Sequence, residues 1–146
     1  MNTSHQSIRP VVLGIIAAAA LSLAACSHSP YGDRGMVTLS GDQEVPAVTT
    51  SASGSGTITV HADKSVSGSV TTTGVEGTMA HIHIGAAGKN GPVIVPLTKS
   101  GDNVWSVPAG AKLSDAQYEA YRDGGLYVNV HSAANKGGEV RAQLKP

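Results

Sequence analysis

Apolar and polar positions alternate in short runs through most of this chain. In residues 57–62 the pattern Thr-Ile-Thr-Val-His-Ala sets Ile58, Val60 and Ala62 on one side. Residues 65–70 repeat it with Val66 and Val70, and Asp63-Lys64 between the two runs suits a hairpin turn. Similar runs occupy residues 36–39, 81–84, 93–97, 104–107, 126–131 and 139–144. Gly, Pro, Asn and Ser punctuate them, and Thr and Val are frequent. This spacing predicts an all-β fold of about eight strands, a Greek-key or immunoglobulin-like β-sandwich.

One stretch changes period. Ser114 and Gln117 stand where the two halves of a capping box would be, and Asp115 suits the positive start of a helix. Tyr118 and Tyr121 share a side, and Gly124 fits the left-handed position past a helix end. A single short helix over 115–122 is the expectation.

The last two runs fix a register. If residues 132–138 close an antiparallel hairpin, Tyr127 faces Gln143, Asn129 faces Arg141 and His131 faces Glu139. The opposite face then holds Val128, Val130, Val140, Ala142 and Leu144, and a one-residue slip would mix the two sets. His81 and His83 share a face of another strand, about 7 Å apart by the strand rise, so both rings can reach one ion. The candidate metal ligands are His81, His83 and His131, with Glu139 as an orienting neighbour or extra ligand. Imidazole suits copper and zinc, and the affinity order favours Cu²⁺, so copper is the expected ion and zinc the alternative. The same residues admit a structural reading, with His81 and His83 bonded to loop backbone and His131 paired to Glu139. Pattern alone does not decide which strands are neighbours. Arg141, near Asn129, can take an anionic group or pair with Glu44, and the salt bridge is the expected use. His61 reads as an exposed strand residue, and Trp105 as filling the core or covering its edge.

Ahead of the strands lies a segment of another kind. It carries one base, Arg9, then an uncharged stretch over 11–23, then Leu23-Ala24-Ala25-Cys26. These are the parts of an export signal, and the apolar stretch is too short to span a membrane. The small residues before Cys26 resemble the lipobox of bacterial lipoproteins. The expected division is a signal over 1–25, a lipidated Cys26 with a tether over 26–35, and one domain over 36–146. Cys26 is the only cysteine, so it forms no internal disulfide. Ser27 follows it where an aspartate would retain the protein at the inner membrane, so a periplasm-facing outer-membrane lipoprotein is expected, its membrane contact made through the lipid. Lys plus Arg equal Asp plus Glu at 10 each, with no basic stripe, which argues against nucleic acid as a partner. No Gly-x-Ser-x-Gly elbow and no phosphate-cradling glycine loop occurs.

Three groups of residues also carry a family likeness. Asp42-Gln43-Glu44-Val45-Pro46, then Ala80-His81-Ile82-His83 with Asn90-Gly91-Pro92-Val93, then 126–131 (Leu-Tyr-Val-Asn-Val-His) with Gly138-Glu139-Val140-Arg141, resemble the chordin-type (CHRD) domain over roughly 36–145. Ala47 replaces a second proline that the family often has. The resemblance implies a β-sandwich domain in an exported protein, and it implies no reaction. A looser likeness is to copper–zinc superoxide dismutases, in which His-x-His on a strand precedes a Gly-rich turn. The long zinc loop and the disulfide of that family are missing here, so only a simpler site of two or three histidines is expected. The leading expectation is a non-enzymatic, metal-binding envelope lipoprotein. A module that binds another envelope protein is the alternative, and a dismutase-type enzyme a third.

Overall fold

The computed structural model describes Met1 and residues 35–146. The expected signal, Cys26 and nearly all of the tether lie outside the described residues. Nine strands are present: β1 (Met36–Ser40), β2 (Ser53–Val60), β3 (Val66–Thr73), β4 (Gly77–Ile84), β5 (Val93–Pro96), β6 (Thr98–Gly101), β7 (Val104–Ser106), β8 (Leu126–Ser132) and β9 (Val140–Gln143). One helix, α1 (Asp115–Arg122), links β7 to β8. The all-β class and the single helix are therefore as expected.

All the strands join one antiparallel sheet in the order β5-β4-β8-β9-β1-β2-β3-β7-β6. The seam between β9 and β1 is thin, a single residue pair, Ser40 with Arg141. The two halves of the sheet turn toward each other about that seam. Val37, Leu39, Ile58 and Val70 from one half share a core with Ile82, Val128, Val130 and Val140 from the other. The sandwich is thus one sheet, folded over and continuous through Ser40 and Arg141. Burying each such side chain contributes about 1.5–3 kcal/mol, which makes this shared layer the main stabilising element.

The ninth strand escaped the sequence pattern for a plain reason. β6 reads Thr-Lys-Ser-Gly, sits at a sheet edge and is exposed at every position, so it has no apolar alternation to read. β2 and β3 are longer than their apolar cores and pair without a slip from Ser53–Thr73 to Val60–Val66. Ala62, expected inward, falls in the turn between them and is exposed. The helix has the full capping box, with the Ser114 hydroxyl accepting from the Gln117 N–H and the Gln117 carbonyl from the Ser114 N–H. Gly124 follows at φ +71°. Trp105 is buried in the core.

The β8–β9 ladder has the expected register, Tyr127 with Gln143 and Asn129 with Arg141. The neighbour of β8 on its other side is β4, with His83 opposite Tyr127 and His81 opposite Asn129. Pattern alone had not settled that adjacency, and it brings the histidine strands together. Among the described residues no helix is long and apolar enough to cross a membrane.

Ile82 is 1 % exposed and lies between the two β4 histidines on the core side. Ile82→Ala is expected to lower the free energy of urea unfolding by about 2–5 kcal/mol, whereas Thr98→Ser on exposed β6 should move it by less than about 0.5 kcal/mol. Equal effects would contradict the placement of the core.

Candidate metal centre

His81 and His83 of β4, Tyr127, Asn129 and His131 of β8, and Arg141 and Gln143 of β9 occupy one face of three adjacent strands. That face is polar yet largely buried. Arg141 and Asn129 are 1 % exposed and Tyr127 is 2 % exposed. Loops cover it. The terminal nitrogens of Arg141 donate to the carbonyls of Ala86 (3.2 Å) and Lys89 (2.9 Å) and to Asn90 Oδ1 (3.2 Å), which holds loop 85–92 over the strands. Asn90 Nδ2 reaches on to the Val45 carbonyl (2.6 Å), just before the cis Val45–Pro46 bond, which ties in the loop after β1. The Arg141 guanidinium also lies 3.4 Å from the centre of the Tyr127 ring, and Tyr127 stacks on His83 with centroids 4.7 Å apart. A cation over an aromatic face is an attractive contact that strengthens when desolvated, so this three-layer stack fixes the His83 ring plane.

Backbone carbonyls set the tautomers. A carbonyl only accepts, so each nitrogen bonded to one must carry the proton. His83 Nδ1 donates to the Gly91 carbonyl (2.9 Å), and His131 Nδ1 donates to the Lys136 carbonyl (2.9 Å). Both Nε2 atoms are left as lone pairs. His131 Nε2 lies 3.0 Å from His81 Nδ1 and accepts its proton. His83 Nε2 and Asn129 Oδ1 are both buried and neither forms a hydrogen bond of good geometry, although the Asn129 side chain lies close enough to His83 to raise its pKa. One ring nitrogen from each of the three histidines lies within 4.8 Å of the other two. Bonds of about 2.1 Å in tetrahedral geometry hold the donor atoms about 3.4 Å apart, so side-chain shifts of about 1 Å complete the coordination. Burial, with the neighbouring rings of His131 and His83, holds the His81 pKa below its ordinary value; burial also lowers that of His83, against the Gly91 bond. Both effects favour the neutral, ligating form.

Two glycines make room for this arrangement. A Cβ on Gly91 would overlap the Ile84 carbonyl, and Gly91 must approach closely because its carbonyl serves His83 while its N–H donates to the Tyr127 hydroxyl (3.2 Å). Gly138 sits at φ +133°, and a Cβ there would overlap Glu44 and Asn129. The bond from His83 to loop backbone is as the structural reading expected, whereas His81 bonds His131 instead and the stacked tyrosine was not identified from sequence. The Asn90-Gly91 pair in the family-like motif was the one available signal.

The model of the CHRD domain matches residues 36–144. The chain belongs to the CHRD domain family. No curated protein and no solved structure matches it. The motifs that carried the likeness supply the residues of the buried polar face of this CHRD domain.

Not every expected member joins the histidines. Glu139 lies one step beyond the end of the β8–β9 ladder, and its carboxylate accepts from Thr50 Oγ1 (2.8 Å). Ser132 above all, with Thr50 and Asn135, holds its pKa below the usual carboxylate range. Glu139 thus faces away from the three rings in this CHRD domain. The expected Glu44–Arg141 salt bridge is not formed; the ion pairs among the described residues are Lys64–Asp115 and Arg122–Glu119. Loop carbonyls occupy Arg141 instead, and the Glu44 carboxyl has a long contact from Asn129 Nδ2 (3.5 Å) and a bond from the Val45 backbone. His61 is exposed, as expected, and bonds Ser67 (2.8 Å).

Burial outweighs Asn129 and Arg141 and raises the Glu44 pKa to about 6. A raised folded-state value means that the folded protein holds this proton more tightly than the unfolded chain. The stability it contributes is complete below about 4.5 and lost as pH rises through about 6. Glu44→Gln, which keeps an acceptor but no charge, should therefore gain stability relative to wild type by on the order of 1–2 kcal/mol as pH rises through this window. A difference in chemical unfolding that does not change with pH would contradict it.

Proposed function

We propose that this CHRD domain binds one transition-metal ion through His81, His83 and His131, copper in preference to zinc. The observation that carries the reading is the cluster of three ring nitrogens within 4.8 Å of one another, in which His83 Nε2 is buried without a well-formed hydrogen bond. A buried acceptor left unpaired costs about 1–3 kcal/mol, and a cation there removes that cost. Three neutral imidazoles suit copper or zinc, and the affinity order favours copper. Backbone carbonyls behind His83 and His131 supply the outer-sphere orientation that such ligands use.

The reading is of binding, in an exported lipoprotein held to the envelope by a lipid on Cys26 and facing the periplasm, at the outer membrane. The small residues before Cys26, and Ser27 after it, support that placement. Membership of the CHRD family also fits a non-catalytic interaction module, and an envelope protein is the partner class for that second reading.

Titration of the purified protein with Cu²⁺ should show one tight equivalent and with Zn²⁺ one weaker equivalent, each with a rise in melting temperature, because an ion that binds only the folded state stabilises it. His83→Ala should weaken uptake by about tenfold or more, and unchanged uptake would refute the site. Since burial holds the His81 and His83 pKa values below the ordinary imidazole value, uptake should fail only at a lower pH than that at which exposed imidazoles protonate. For the anchor, Cys26→Ser should move the protein from the membrane fraction to the soluble fraction; a variant that stays in the membrane would refute attachment through Cys26.

A further inference from the structure

The face that presents His81 and His83 has one more side chain from β4. Met79 precedes His81 by two residues, so the alternation of the strand directs it to the same side. In the ladder it stands directly opposite His131. Opposed residues of such a pair hold their Cβ atoms about 4.5–5.5 Å apart. Met79 is also 50 % exposed and takes no part in the core cluster, so packing does not account for it. Three rotatable bonds and a polarisable sulfur let a methionine reach a neighbouring centre that a branched side chain would miss. The Nδ1 atom of His131 is bonded to the Lys136 carbonyl, and its Nε2 faces His81 Nδ1, two residues from Met79 on β4.

Charge points the same way. The ligand set carries no formal charge in its metal-binding form: three imidazoles and, across the ladder, a thioether. Glu139 is held elsewhere by Thr50, and Arg141, with the His131 ring, adds positive charge that acts on His83. Desolvating an ion costs more as its charge grows, so neutral ligands beside a fixed cation favour a monovalent ion over a divalent one. Thioether sulfur selects copper(I), whereas zinc draws on imidazole, thiolate and carboxylate.

We infer that Met79 supplies a thioether as the fourth ligand and makes this a copper(I) site that discriminates against zinc. The inference rests on the His81–His83–His131 reading above.

The test uses the purified full chain as wild type, Met79→Leu and His83→Ala. Copper(I) is held under reducing conditions in competition with a chromogenic copper(I) chelator, and Zn²⁺ in competition with a zinc indicator dye. Met79 is exposed and Leu is close in volume, so Met79→Leu should keep the wild-type melting temperature. It should weaken copper(I) by about tenfold or more while leaving Zn²⁺ within about twofold. Copper-edge X-ray absorption should show a sulfur neighbour in wild type that Met79→Leu lacks. Equal copper(I) affinity in wild type and Met79→Leu with no sulfur neighbour, while His83→Ala binds poorly, would overturn the role of Met79 and leave the imidazole site standing. Equal loss of both metals in Met79→Leu would overturn the selectivity. Absence of metal binding by the wild type would overturn the site itself.

Discussion

Strand β8 is buried at all seven of its positions although only one of its faces is apolar. Its valines complete the core, but Tyr127, Asn129 and His131 point into a second, polar interior. Buried polar groups must find partners or cost stability, so the loops around β8 are shaped by that demand. Arg141 meets it by gripping loop 85–92 through carbonyls while lying flat on Tyr127. That single residue joins the loop and the aromatic stack through its guanidinium and the thin seam at Ser40 through its backbone, the three features that fix where the imidazoles sit.

The exceptions to full pairing gain their meaning from this setting. In a face where nearly every donor and acceptor is matched, His83 Nε2 and Asn129 Oδ1 are not. The inter-imidazole hydrogen bond between His81 and His131 is replaceable, because His81 is the partly exposed ring and can carry its proton on the other nitrogen instead. Metal uptake then exchanges one hydrogen bond and one orphaned lone pair for three coordinate bonds. His83 and His131 need no tautomer change, since backbone carbonyls already hold their Nδ1 protons. The fold therefore pre-organises two ligands and leaves the third adjustable.

Much of this was legible in the chain. The β8–β9 register followed from alternation because Val128, Val130, Val140 and Ala142 must share the core side. The helix followed from local cap chemistry at Ser114 and Gln117. What resisted reading was long-range. Nothing local says that β4 lies beside β8, and that adjacency is what gathers His81, His83 and His131. Glu139 was placed by extending the alternation one residue too far; the turn at Gly138, with its positive φ, ends the strand geometry before it and hands the carboxylate to Thr50. Glu44 and Arg141 looked like ion-pair partners by charge alone. In three dimensions the loop carbonyls reach Arg141 first, and Glu44 is left buried with weak compensation. β6 was invisible because an exposed edge strand needs no apolar pattern.

The most direct measurement is long-range proton–nitrogen NMR of the histidine side chains, recorded with and without one equivalent of Zn²⁺ as a diamagnetic probe. A shared ion requires that Nε2 of His83, Nε2 of His131 and Nδ1 of His81 shift together and saturate at one equivalent, with exposed His61 unmoved. Shifts that accumulate gradually and centre on His61, with the three clustered rings unchanged, would contradict it.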